Sequence, residues 1–66
     1  MKHVIEIRTP TGWMFRCSAS PAEYHETVKA LRVMDGQGQR YRLVRIQRVS
    51  ITEVLEEDRP NGYHQD

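Results

Sequence analysis

The chain has 66 residues, ten of them Lys or Arg and nine Asp or Glu, with one Cys and three His. This length allows one small domain, too short to bury a large core, so it needs a partner chain or another supplement to its stability. One Cys excludes an intrachain disulfide, no apolar run approaches the ~20 residues of a membrane span, and no leader pattern opens the chain.

Lys2–Thr9 alternates, with His3, Ile5 and Ile7 on one face and Val4, Glu6 and Arg8 on the other, which predicts a half-buried strand. Trp13–Ser18 alternates in the same way, setting Trp13, Phe15 and Cys17 against Met14, Arg16 and Ser18. Thr9-Pro10-Thr11-Gly12 between them suits a type I turn closed by a left-handed glycine. A three-residue loop pairs Ile7 with Phe15, Ile5 with Cys17 and Glu6 with Arg16. That register matches apolar with apolar and acid with base, and it makes Trp13 and Phe15 core residues, with stacking aromatics as the alternative.

Ser20-Pro21-Ala22-Glu23 predicts a helix start, with Ser20 as cap, Pro21 at the first helical position and Glu23 completing a capping box. Tyr24, Val28, Leu31 and Met34 follow at helical spacing, and Gly36 is the expected C-cap.

The next segment, RYRLVRIQRV, holds Arg40, Arg42, Arg45 and Arg48 among Tyr41, Leu43, Val44, Ile46 and Val49. Its β-branched and aromatic content predicts a strand. Val44 and Ile46 share one parity and Val49 and Ile51 the other, so a bulge or bend is expected near Gln47-Arg48. On that reading Val44, Ile46, Val49 and Ile51 face the helix, while Tyr41, Leu43 and Arg45 face away. The strand is expected to continue past Ile51, with a short helix over 51–57 as the alternative.

These elements predict an α+β fold, a single ββαβ domain over residues 1–55. A three-stranded, mostly antiparallel sheet of order 2-1-3 carries one helix on one face. The third strand beside the second as a parallel neighbour is the other arrangement. Residues 56–66, opening on Glu56-Glu57-Asp58, read as an acidic disordered tail. Residues 1–52 carry nine basic and four acidic side chains, and residues 53–66 one basic and five acidic. Such a tail solubilises, tethers, decoys a basic partner or screens the arginines.

The sequence carries no catalytic pattern. Cys17 and His3 share a face, but that face is expected to pack on the helix. Glu56-Glu57-Asp58 is a solvated run, and Gly36-Gln37-Gly38 precedes a strand, the wrong context for phosphate binding. The His and Cys spacings fit no metal motif, and no cofactor or small-molecule substrate is expected. A reactive Cys17 thiol is the alternative to a small core hydrophobe. The lone Cys suits a reducing cytoplasm.

The expected function is therefore a non-catalytic protein-interaction module, binding a larger protein or a second copy of itself as a homodimer. Its expected contact residues are Arg8, Met14, Arg16, Arg40, Tyr41, Arg42, Leu43, Arg45 and Arg48, on an open sheet face or the arginine strand. Nucleic-acid binding through Arg40, Arg42, Arg45 and Arg48, with Tyr41 stacking on a base, is the alternative. A pI near 8.0 weighs against it. Size and architecture, without diagnostic residues, suit an accessory protein of a phage or mobile element that inhibits a host machine by occupying a surface.

Overall fold

The computed structural model describes residues 2–48 and 51–58. Strand β1 spans Lys2–Thr9, β2 Gly12–Ser18, β3 Tyr41–Arg48 and β4 Ile51–Asp58. A 3-10 turn, Pro21–Glu23, leads into helix α1, Tyr24–Asp35. The fold is α+β, with one helix and a four-stranded sheet of order β2-β1-β3-β4, antiparallel throughout. The expected 2-1-3 arrangement is present, and a fourth strand extends it.

The fourth strand corrects the reading of the chain after Arg48. Residues 51–58 neither prolong β3 nor form a helix; they pair back along it, Arg48 opposite Ile51 and Tyr41 opposite Asp58. The parity change from Ile46 to Ile51 therefore marks a reversal of chain direction, with the pairing also shifting between Ile46 and Arg48. Glu56, Glu57 and Asp58 belong to β4. The rest of the expected tail, 59–66, lies outside the described residues, as do Val49 and Ser50.

The first hairpin is also corrected. Thr9 faces Gly12, so the loop has two residues, Pro10 and Thr11. Arg8 then faces Trp13, Ile7 Met14, and Glu6 Phe15. One extra residue, Arg16, restores the pairing of Ile5 with Cys17. Thr9 favours the tight turn directly: its Oγ1 donates to the Gly12 carbonyl at 2.9 Å and accepts from the Thr11 amide at 3.3 Å.

The core lies between α1 and the inner face of the sheet. Tyr24, Val28 and Leu31 of the helix meet Ile5, Tyr41 and Leu43, with Ala19 at the edge. Each of these helix and strand residues is at most 4% exposed. Met34, expected in the same stripe, is 67% exposed. Asp35 is the last turn's contribution instead, held by Arg16 and Tyr41.

Tyr41 and Leu43 face the helix, opposite to expectation. The reason is cross-strand pairing: residues directly opposite one another share a face. Ile5 pairs with Leu43 and Ile7 with Tyr41, so these follow β1 into the core. Val44 pairs with Val4 on the other face. Both valines are nonetheless buried.

At the helix start the backbone amide and Oγ of Ser20 both donate to Glu23 Oε1, at 3.2 and 3.1 Å. At its end the Gly36 amide donates to the Arg32 carbonyl at 3.0 Å. Gly36 takes φ 119 and ψ 147, an extended positive-φ conformation essentially reserved for glycine. Gly36→Ala is expected to destabilise the domain by about 1–3 kcal/mol through backbone strain. An unchanged urea midpoint would contradict that backbone conformation.

A candidate protein-interaction face

The side of the sheet away from α1 is read row by row across the strands. Trp13 and Arg8 form the first row, with Arg40 beside them, since the Arg8 amide donates to the Arg40 carbonyl at 3.0 Å. Phe15, Glu6, Arg42 and Glu57 form the second. Ser18, Val4, Val44 and Val54 form the third, and Lys2, Ile46 and Thr52 the last.

The extra residue at Arg16 places Trp13 and Phe15 here rather than in the core. Phe15 is 61% exposed. Trp13 is half-buried among guanidinium groups: Arg42 lies 4.4 Å from the ring centroid, Arg40 5.7 Å and Arg8 5.9 Å. A guanidinium over an indole is attracted by the ring's negative face. Arg42 Nε also donates to Glu6 Oε1 at 2.7 Å, and Arg40 pairs with Glu57. The alternating charges of the second row therefore hold the indole's neighbours in place.

On the helix side, Arg16 makes a two-pronged contact with Asp35, Nε to Oδ2 at 2.9 Å and Nη2 to Oδ1 at 3.0 Å. Tyr41 donates its hydroxyl to the same Oδ2 at 2.8 Å. Arg16 first, and Tyr41 with it, hold the Asp35 carboxyl below the usual carboxylate range. A depressed acid stabilises the fold above its unfolded value, and that stabilisation disappears as pH falls through the folded value. Stability should therefore fall as pH drops below the ordinary value of 3.8. Asp35→Asn should flatten that part of the profile, read as urea midpoint against pH. An unaltered acid limb would contradict the assignment.

The expected contact residues thus separate. Arg8, Arg40 and Arg42 gather around Trp13. Tyr41 and Leu43 are core, which removes them from any binding surface and leaves no base-stacking role for Tyr41. Arg16 is tied to Asp35, and Met14, 55% exposed, lies on the helix side at the β2 edge. Arg45 pairs with Glu53 of β4, and Arg48 is exposed at the end of β3. Trp13 and Phe15 depart from the core reading because strict alternation hides a bulge. The segment Phe15-Arg16-Cys17 contains no glycine or proline that would mark one.

Among the described residues no group of three or more His, Cys, Asp or Glu is placed to hold a metal ion. No described helix is long and apolar enough to cross a membrane. No protein-family model, curated protein or solved structure matches the chain.

Proposed function

We propose that this chain is a small non-catalytic interaction module that docks a larger protein through the helix-free face of its sheet. One observation carries the reading. The single helix covers one face, and the other presents Phe15, 61% exposed, beside Trp13 in its arginine setting. Trp and Arg supply large, semi-rigid contact area and are the residue types that dominate interface energetics. Arg16, Arg32, Arg40, Arg42 and Arg45 each hold a carboxylate of the same chain. That internal neutralisation favours a protein over a phosphate backbone, which needs cations free to displace counterions. The lone, half-buried Cys17 suits a reducing cytoplasm, and inhibition of a host machine by surface occupation fits a chain of this size.

The test is affinity capture with the full chain, with and without nuclease, followed by competition with the variants Phe15→Asp and Met14→Asp. The expected result is a nuclease-resistant complex with one protein. Phe15→Asp should weaken it by about tenfold or more, the scale of an interface hot spot. Met14→Asp, on the opposite side of the same strand, should leave it intact. Equal effects of the two variants, or a complex lost to nuclease, would overturn the proposal.

A further inference from the structure

Strand β4 is bound to the rest of the domain in an unusual way. None of its eight residues is buried; seven are exposed and Asp58 is intermediate. Ile51, Val54 and Leu55 remain 46%, 49% and 39% exposed. What β4 contributes instead is charge. Glu53 meets Arg45, Glu56 meets His25, Glu57 meets Arg40, and Asp58 meets Arg32. Its ladder with β3 shifts register twice, between Leu43 and Val44 and between Ile46 and Arg48.

The ion pairs are uneven. Arg32 reaches Asp58 Oδ2 from Nη1 at 2.9 Å and the Asp58 carbonyl from Nη2 at 3.4 Å, whereas Arg45 reaches Glu53 through Nη2 alone. The Nε atoms of Arg32 and Arg45 are buried with no hydrogen-bond partner among the described residues. Partly exposed end-on pairs contribute little each and are screened by salt. An edge strand with no buried side chain, held by such pairs and a twice-shifted ladder, belongs to the low-stability end of a domain.

We infer that β4 is an exchangeable occupant of a strand-binding site on β3, and that the site accepts an acidic, extended segment of a partner protein. The occupant itself shows what the site recognises. Backbone pairing with β3 supplies affinity, as in strand addition generally. Carboxylates spaced as in ITEVLEED meet Arg45, Arg40 and Arg32, and β-branched residues stand at Ile51, Thr52 and Val54. A groove of about 440 Å³ opens beside the last pair, lined by His25, Lys29, Arg32, Val33, Gln37 and Asp58. Its basic side chains suit acidic residues that continue past the Asp58 position. This site shares Arg40 and Glu57 with the edge of the helix-free face, while its other two arginines, Arg32 and Arg45, lie on the helix side of the sheet.

The experiment uses the full chain and has two arms. Amide hydrogen exchange is followed from low to high salt. The β4 amides should exchange faster than those of β1, and salt should accelerate them by about tenfold through screening of the ion pairs. The amide of Ile5, in the core of β1, should not respond. The second arm adds a blocked peptide of sequence ITEVLEED to the chain and to the variant Glu53→Gln, Glu57→Gln, Asp58→Asn. The variant should bind the peptide about tenfold more tightly than the parent, because its own strand competes less. A scrambled peptide of the same composition should bind neither. Uniform, salt-insensitive exchange across β1 and β4 would overturn the inference even if the triple variant does not fold. So would equal binding of the scrambled peptide, of polyglutamate or of single-stranded DNA, since those need charge and no strand pairing.

Discussion

Leu43→Glu should prevent the domain from folding. Leu43 is 1% exposed and packs in the cluster of Ile5, Tyr24, Val28, Leu31 and Tyr41. A carboxylate there loses its hydration, and no cation lies within that cluster to replace it. The loss of a buried leucine alone amounts to about 2–5 kcal/mol, and the uncompensated charge adds to it. A domain of this size has roughly 5 kcal/mol in total. The expected circular dichroism spectrum is that of an unfolded chain. A folded Leu43→Glu protein with altered self-association would mean that Leu43 faces solvent after all. The contrast with Phe15→Asp is informative, since that substitution lies on the exposed face and should leave the thermal midpoint nearly unchanged.

Tyr24 should divide into two effects of different size. Its ring is fully buried beneath the sheet, and its hydroxyl donates to the Tyr41 carbonyl at 3.2 Å. Tyr24→Ala empties the centre of the core and should destabilise by about 3–5 kcal/mol, the range for large aromatic truncations. Tyr24→Phe keeps the ring and removes one bond, so about 1 kcal/mol is expected. The two tyrosines also set the alkaline limit. Burial pushes both hydroxyls well above the ordinary value of 10.0, with Asp35 adding to the effect on Tyr41. The unfolded chain therefore loses these protons first as pH rises. The stabilisation is complete below 10.0 and is lost as pH climbs through the folded values. Urea midpoints should fall steeply above that point, less so in Tyr24→Phe. Equal alkaline slopes for the two proteins would contradict a buried Tyr24 hydroxyl.

The same core shows what sequence determined by itself. The helix was legible because capping, proline placement and the Tyr24, Val28, Leu31 spacing are local preferences, each satisfied within a few residues. The strands β1, β2 and β3 and the inner order β2-β1-β3 followed from alternation and the return of the chain through α1. The charge asymmetry was legible too, and one of the roles considered for the acidic residues, screening the arginines, matches the ion pairs of Glu53, Glu57 and Asp58.

Tertiary structure decided what depends on partners distant in sequence. The face of a strand is set by its cross-strand neighbour, so Tyr41 and Leu43 turn inward because Ile5 and Ile7 do. A single extra residue at Arg16 turns Trp13 and Phe15 outward, and no local signal announces it. Ile51–Leu55 reads as a prolongation of β3 and Glu56-Glu57-Asp58 as a solvated tail, because no side chain of β4 enters the core to mark a separate strand. The segment becomes a strand only through backbone pairing with β3 and through arginines that precede it by eight residues at Arg45 and twenty-six at Arg32. Hydrophobic periodicity reports burial, and an edge strand held largely by charge places no side chain fully inside.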